Sequence, residues 1–149
     1  MTDLLFRPMV VGDIPEVARI EANTFSTPWR ETTFQSLLER PGVEMWVAEH
    51  TPGIVAAYAV LWCIQDEGEL ANLAVRPTLQ RRGIGAELLD CVLGVARERG
   101  VKSVYLEVRT SNEAAQTLYA SREFQQVGVR RDYYDRPKED AWIFMKRLV

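Results

Sequence analysis

Residues 70–90 read LANLAVRPTLQRRGIGAELLD, and this stretch decides how the rest of the chain is organised. It opens with an apolar run typical of a β-strand and closes with apolar side chains at helical spacing. Between the two lie Gly83 and Gly85, directly behind Arg81 and Arg82. Because a helix N-terminus carries unpartnered N–H groups and a partial positive charge, this junction is a candidate cradle for phosphate oxygens.

The residues alone leave one alternative open, a flexible loop with solvated arginines before the helix. Two better-known phosphate motifs are excluded. A Walker-type loop needs Lys-Ser/Thr where Ala86-Glu87 follows Gly85, and a dinucleotide fingerprint needs a third small residue where the chain has Leu88.

Working outward, the pattern predicts an α/β fold with one mixed sheet and the order β-α-α-β-β-β-α-β-α-β-β. The first helix is expected to begin at Asp13 with the D-x-x-E capping pattern, and the second with Thr27 as N-cap and Pro28 at its first position. Strands are expected at 4–8, 44–50, 54–64, 69–75, 103–109, 124–134 and 140–148. Two further helices are expected, one at about 84–99 that ends at Gly100 and one that begins at Ser111 or Asn112. Pro41-Gly42 is expected to end the second helix, and turns are expected at Thr51-Pro52-Gly53 and Asp66-Glu67-Gly68.

Composition limits the class of protein. A chain of 149 residues is expected to form a single domain, residues 1–149, and its net charge of −3 with a pI near 5.3 argues against a nucleic-acid binder. The chain has no segment apolar enough to predict a membrane span and no secretory signal pattern, so a cytoplasmic protein is expected. Cys63 and Cys91 fit no metal motif and are expected to be buried reduced thiols, so no metal is predicted.

Residues 103–109, SVYLEVR, place a carboxylate on the polar side of a central strand. Alternation puts Val104, Leu106 and Val108 on one face and Glu107 on the other. Both faces of a central strand are normally buried, so a polar face there indicates a cleft. From the residues alone, a solvated or ion-paired Glu107 is favoured over a catalytic one. The single histidine, His50, is expected to be a surface residue beside a turn.

The 70–90 stretch resembles the acyl-CoA site of the GNAT family of N-acetyltransferases, whose signature is Q/R-x-x-G-x-G/A. Gln80, Gly83 and Gly85 match that signature. The element order is also the family's, and the segments FSTPW (25–29), EVRTSNEAAQTLY (107–119) and RRDYY (130–134) resemble the bacterial ribosomal-protein-alanine N-acetyltransferases.

The resemblance implies acetyl-CoA as co-substrate and gives its binding residues. The pyrophosphate would rest beside Gln80 on the backbone of Arg81, Arg82, Gly83, Ile84, Gly85 and Ala86. The pantetheine arm would run along Leu73, Ala74 and Val75, with the Val75 amide donating to the thioester oxygen. Asn112 would hydrogen-bond the pantetheine. It lies seven residues before Tyr119, so both share one helix face.

The resemblance also assigns the chemistry. Glu107 would be the general base and the Tyr119 hydroxyl the acid that protonates the leaving sulfur. Segments holding Phe25, Trp29, Tyr133 and Tyr134 resemble the loops that grip the acceptor N-terminus. One departure is Glu123, where the family usually has glycine before a phenylalanine. Either the glutamate adopts the left-handed conformation at a cost of roughly 1 kcal/mol, or the turn is built differently.

The expected activity is therefore acetyl transfer to a protein N-terminus, by resemblance the N-terminal alanine of a small-subunit ribosomal protein. The alternatives are the same chemistry on another amine, such as a lysine side chain, polyamine or aminoglycoside, or a CoA-binding sensor without turnover. No direct contact with nucleic acid or membrane is expected.

Overall fold

The computed structural model describes residues 4–50 and 52–148. Seven strands and four α-helices follow one another in the predicted order, which confirms the fold class. The strands are β1 Leu4–Pro8, β2 Val43–His50, β3 Ile54–Ile64, β4 Glu67–Val75, β5 Ser103–Arg109, β6 Gln125–Tyr134 and β7 Glu139–Arg147; the helices are α1 Ile14–Thr24, α2 Glu31–Leu38, α3 Ile84–Glu98 and α4 Glu113–Ser121, with 3₁₀ turns at Val11–Asp13 and Pro77–Leu79.

All seven strands belong to one sheet, in the order β1-β2-β3-β4-β5-β7-β6. Every neighbouring pair is antiparallel except β4 and β5, which are parallel because α3 connects them. That parallel pair spans only three residue pairs, from Glu67 with Ser103 to Glu69 with Tyr105. Beyond Glu69 the two strands separate, and the sheet is open along the second half of β4.

The helices cover the two faces of the sheet unequally. On one face, α3 packs its apolar stripe, including Leu88 and Val92, on the sheet together with Tyr119 of α4. On the other face, α1 and α2 bury residues such as Val17 and Phe34 against β2, β3 and β4. Across β5, β7 and β6 this second face has no helix above it, and Val127 is exposed there.

The predicted start of α2 was wrong. The helix begins at Glu31 with Arg30 as N-cap, three residues after the predicted Pro28. The backbone N–H of Trp29, which would belong to the first turn of the predicted helix, donates to the carboxylate of Glu21. That tertiary hydrogen bond ties the segment before Arg30 to α1.

The start of α1 is built differently from the expected capping pattern. Asp13 occupies the N-cap position, but its side chain makes no cap hydrogen bond. Its carboxylate instead accepts two hydrogen bonds from Arg7 and one from the Val10 amide. The ion pair with Arg7 holds Asp13 against the first strand.

Several smaller expectations need correction. Glu67 and Gly68 belong to β4, so the turn before it lies at Gln65-Asp66. Cys63 and Cys91 are free thiols but only half-buried. Pro52 and Gly53 form the expected turn, while Thr51 lies outside the described residues.

Of the two possibilities for the turn after α4, the structure has the left-handed one. Glu123 has φ 68° and follows the C-cap residue Arg122. The Lys146 ammonium donates to the Arg122 carbonyl and lies 3.4 Å from the Glu123 carboxylate. These contacts hold the strained turn against β7.

Candidate active site

A cleft opens through the sheet where β4 and β5 separate. A cavity of about 310 Å³ lies in this opening. Residues 70–73 of β4 and 106–109 of β5 form its two sides, and residues of α4 form another wall. The open edge of β4 is therefore accessible to a bound molecule.

The backbone of β4 presents two N–H groups to this opening. β3 pairs Val60 with Asn72 but Leu61 with Leu70, so Ala71 is left without a register partner as a β-bulge. Further along, the Arg76 amide donates to the Ala56 carbonyl of β3, 2.7 Å away. Since N–H directions alternate along a strand, the amides of Leu73 and Val75 point away from β3, toward the open edge.

The N-terminus of α3 lies beside this edge. Gly83, its N-cap, has φ 80°, a left-handed conformation that glycine adopts without strain. The first intrahelical bond runs from the Glu87 amide to the Gly83 carbonyl. The three preceding amides, of residues 84–86, are therefore outside the helical hydrogen-bond ladder and available to an anion.

The loop before α3 packs tightly on β4. The Gln80 side-chain amide donates to the Val75 carbonyl at 3.1 Å. A Cβ atom at Gly85 would lie 3.3 Å from Val75 Cγ2, so the close approach of helix and strand favours glycine there. The Arg81 and Arg82 side chains are exposed. The predicted cradle residues thus lie together next to the cleft, without lining the 310 Å³ cavity itself.

Glu107 lies on the polar side of β5, as the alternation predicted. Its side chain is 14% exposed, and Arg130 Nε lies 3.0 Å from Glu107 Oε2. The Arg130 N–H does not point at that oxygen, which has an ionic partner but no hydrogen bond. Burial raises the pKa of Glu107 above its usual range; Arg130 counteracts this effect and the nearby carboxylate of Glu69 adds to it.

Tyr119 and Asn112 line the opposite wall of the same cavity. Tyr119 is buried, packs edge-on against Phe124 with ring centroids 5.6 Å apart, and has its pKa raised by burial. Its hydroxyl therefore remains protonated at neutral pH. Asn112 is the N-cap of α4, where its Oδ1 accepts from the Ala115 amide at 3.1 Å.

A second cavity of about 690 Å³ adjoins the first on the α1–α2 face of the sheet. All four predicted acceptor aromatics line it: Phe25, Trp29, Tyr133 and Tyr134. Glu107, Tyr134 and Phe25 line both cavities, so the two are continuous. We call this larger space the acceptor cavity.

Two further residues of the acceptor cavity were missed by the sequence analysis. Glu21 is 1% exposed, and its carboxylate accepts hydrogen bonds from the Tyr58 hydroxyl, the Trp29 amide and the Asn72 side chain. A carboxylate within the apolar stripe of α1 was the available signal. Burial, together with Glu21, raises the pKa of Tyr58.

Arg109 is the second missed residue, and it ties the loops around the cavity together. Its guanidinium donates to the Asp135 and Pro137 carbonyls, the Ser26 hydroxyl and the Glu139 carboxylate. It also lies 4.3 Å from the centre of the Tyr134 ring. Arg109 thereby joins the α1–α2 connection to the β6–β7 hairpin.

Glu139 fixes the other side of this arrangement. Its carboxylate accepts from the Ser111 amide at 2.6 Å, the Thr110 hydroxyl at 3.0 Å and Arg109 at 3.1 Å. The Ser111 and Arg109 hydrogen bonds lower the pKa of Glu139 to about 2. The negative charge at Glu139 is thus maintained throughout the physiological range.

Two other kinds of site are not seen in the part of the chain that the structure describes. No cluster of three or more His, Cys, Asp and Glu side chains is arranged to hold a metal ion. None of the helices within residues 4–50 and 52–148 has the length and apolarity to cross a membrane. His50 lies half-buried at the end of β2, outside both cavities.

The comparisons with known proteins agree with this geometry. The acetyltransferase (GNAT) family model matches residues 14–124. The [ribosomal protein bS18]-alanine N-acetyltransferase of Escherichia coli K12 is 38% identical over 133 residues, 88% of each chain, and the N-alpha-acetyltransferase RimI of Mycobacterium tuberculosis is 38% identical over 150 residues, 93% of this chain and 92% of the relative. The crystal structure of the ribosomal-protein-S18-alanine N-acetyltransferase from Escherichia coli superposes with a TM-score of 0.88 at 34% identity, covering 97% of this chain and 93% of that one.

Proposed function

The chain belongs to the acetyltransferase (GNAT) family, and from this premise we propose that it transfers the acetyl group of acetyl-CoA to the N-terminal alanine of ribosomal protein bS18. The observation that carries the proposal is the cleft between β4 and β5, which brings Glu107 and Tyr119 to the walls of one cavity. The names of its relatives support the acceptor. The whole chain acts as one catalytic domain, in the cytoplasm where ribosomal proteins are made.

Acetyl-CoA would enter along the open edge of β4. The amides of residues 84–86, with Gln80, Arg81, Arg82 and the flexible Gly83 around them, are placed to bind the pyrophosphate. The pantetheine arm would run along Leu73 and Ala74, with the Leu73 amide donating to one of its carbonyl groups and the Val75 amide left for the thioester oxygen. Asn112 adds a donor, because its Oδ1 is used in the helix cap while Nδ2 has no partner among the described residues.

The acceptor amine must lose a proton before it attacks. A protein α-amino group has a pKa near ~8, so it is mostly protonated at neutral pH. Glu107 is placed to remove this proton, and its raised pKa makes it a stronger base than an ordinary carboxylate. The free amine then attacks the thioester carbonyl carbon and forms the new C–N bond.

The second half of the reaction breaks the C–S bond. The Val75 amide is the donor assigned to the oxyanion formed on the thioester oxygen; such a donor is worth ~3–4 kcal/mol in other enzymes. The Tyr119 hydroxyl, protonated because it is buried, is placed to give its proton to the departing sulfur. The attacking nitrogen then loses its second proton, which restores the Tyr119 hydroxyl, and Glu107 releases the first proton to solvent. Free CoA and the acetylated N-terminus are the products.

The acceptor N-terminus would occupy the acceptor cavity. Phe25, Trp29, Tyr133 and Tyr134 supply its aromatic walls, and the buried Glu21 carboxylate holds Trp29 in place through the backbone amide. Arg109 fixes Tyr134 and the hairpin that carries it. These contacts hold the entrance of the acceptor cavity in a shape that can admit an extended peptide.

Thiol release from acetyl-CoA tests the proposal directly. The purified chain is assayed with a peptide carrying the bS18 N-terminus, with the same peptide blocked at its α-amine, and with spermidine, an aminoglycoside and an α-blocked lysine peptide. We expect turnover with the free bS18 N-terminus and acetylation of its α-nitrogen by mass spectrometry. Faster turnover of a small amine or a lysine side chain, or no turnover at all, would overturn the assignment.

A further inference from the structure

An open groove runs from the acceptor cavity across the part of the sheet that no helix covers. It has a volume of about 560 Å³ and shares Trp62, Glu69 and Glu107 with the acceptor cavity. Its floor continues over Ile143 of β7 to the exposed Val127 of β6. A polypeptide whose first residue lies at Glu107 therefore has a continuous surface along which its next residues can extend.

The strand register places an acidic side chain between two aromatic ones in this groove. Glu69 pairs with Trp62 of β3 on one side and with Tyr105 of β5 on the other. Register partners on neighbouring strands point to the same face and lie about 5 Å apart. Trp62, Glu69 and Tyr105 thus form a row, which we call the aromatic–acidic row.

The aromatic–acidic row lies at a fixed distance from the proposed base. Glu107 is two residues beyond Tyr105 on β5, on the same face, so the step between them is about 6.6 Å. An extended peptide advances by about 3.3 Å per residue. A long side chain on the second or third residue of the acceptor can therefore reach Glu69 while its terminal amine remains at Glu107.

The charge of the groove favours a cation at this position. Glu107 is paired with Arg130, whereas Glu67 and Glu69 take part in none of the ion pairs among residues 4–50 and 52–148. Trp62 already attracts one guanidinium, since Arg40 lies 5.6 Å from its ring centre. An aromatic ring beside a carboxylate that has no cationic partner among the described residues is a favourable environment for Lys or Arg.

We propose that Trp62, Glu69 and Tyr105 form a subsite for a lysine or arginine side chain at the second or third residue of the acceptor polypeptide. The inference rests on the proposed function, because it places the acceptor amine at Glu107. Glu67, on the same face of β4 two residues away, extends the negative field along the groove. The subsite selects among N-termini after the first residue has entered the acceptor cavity.

The test compares kcat/KM for peptides that share an N-terminal alanine and differ only at one position. Lysine, glutamine or glutamate is placed at residue 2 in one series and at residue 3 in another. For the unsubstituted protein we expect a lysine-to-glutamine preference of roughly threefold to tenfold in at least one series, decreasing as salt is added. Glu69→Gln should bring the ratio close to one, and Glu69→Lys should favour the glutamate peptide.

The ratio separates recognition from indirect effects on the base. Replacing Glu69 also changes the pKa of Glu107, but that change affects all peptides alike and cancels in the ratio. Glu98→Gln, an exposed carboxylate of α3 remote from the groove, is the matched control and should keep the preference.

The two possible failures are distinct. If N-terminal peptides are acetylated at equal rates whatever their second and third residues, or if Glu69→Gln keeps the preference, the subsite is overturned and the proposed function stands. If the unsubstituted protein acetylates no peptide N-terminus, both the subsite and the proposed function are contradicted.

Discussion

Arg130 Nε lies 3.0 Å from Glu107 Oε2, and the two side chains differ sharply in exposure, 59% against 14%. The pair therefore joins a solvated cation to a largely buried carboxylate. Burial raises the pKa of Glu107 and Arg130 lowers it, so the arginine limits how basic the proposed base becomes.

Removing this cation should raise the pKa of Glu107 further. In Arg130→Gln, we expect a carboxyl ¹³C titration of Glu107 with a higher midpoint than in the unsubstituted protein. A carboxyl group is ionised only above its pKa, so turnover should fall more at mildly acidic than at mildly alkaline pH. The control is Arg131→Gln, because the side chain of Arg131 is 87% exposed and its guanidinium lies 4.0 Å from Asp140. This variant should leave the midpoint of Glu107 unchanged. An unchanged midpoint in Arg130→Gln contradicts the coupling.

The base assignment predicts a loss of turnover without a loss of cofactor. Glu107→Gln keeps the shape of the side chain but cannot accept the amine proton, so kcat should fall by at least about tenfold. Acetyl-CoA affinity, measured by calorimetry, should change little because Glu107 lies on the β5 side of the cleft, away from the α3 N-terminus. A variant as active as the parent would rule out Glu107 as the base.

The phosphate cradle can be tested at Gly83 with two matched variants. Any L-residue at φ 80° is strained, but a Cβ there meets no atom within 4 Å, so Gly83→Ala measures the backbone cost alone. Gly83→Asp adds a carboxylate at the N-terminus of α3 and should weaken CoA binding well beyond Gly83→Ala. Equal affinities of the two variants in calorimetry would place the pyrophosphate elsewhere.

The role of Tyr119 as the acid that protonates the leaving sulfur can be tested by removing its hydroxyl. Tyr119→Phe removes the hydroxyl and keeps the ring that packs on Phe124, so the protein should fold with an unchanged far-ultraviolet circular dichroism spectrum. We expect kcat to fall by at least about tenfold. An acetyl-donor thioester whose leaving thiol is more acidic should recover much of the loss, because that thiolate needs less protonation. The same loss with both thioesters would show a packing role only.

The lowered pKa of Glu139 predicts how the stability of the folded protein depends on pH. Its pKa of about 2 lies below the usual value, ~4.3 for an unfolded glutamate, so its stabilising contribution is present above ~4.3 and is lost as pH falls toward about 2. The melting temperature of Glu139→Gln should be lower than that of the parent at neutral pH. The difference should shrink across that acidic window; a constant difference would show that the charge contributes nothing.

Periodicity was sufficient to predict the order of the elements and the polar face of β5. Alternation in residues 103–109 placed Glu107 on the correct face, because successive side chains of any β-strand point to opposite faces. The predicted start of α2 was wrong, and the segment before the observed start is instead bound to α1 by a hydrogen bond from the Trp29 amide to the Glu21 carboxylate. A local capping pattern carries no information about such a contact.

The cleft itself could not be predicted from local patterns. Its existence depends on β4 and β5 ceasing to pair after Glu69, which is a relation between two strands more than thirty residues apart. Arg109 and Glu21 were missed for the same reason, since their importance comes from partners distant in the chain. The roles of Glu107, Asn112 and Tyr119 remain predictions until the variants are measured.

The short joint between β4 and β5 makes the protein two half-sheets connected by three residue pairs. Past Glu69 the two halves are held together by the side chains packed on α3 and by contacts such as that of Arg109 with Ser26. A molecule that hydrogen-bonds to both edges of the opening would therefore supply backbone contacts between the halves where their own strand pairing has ended.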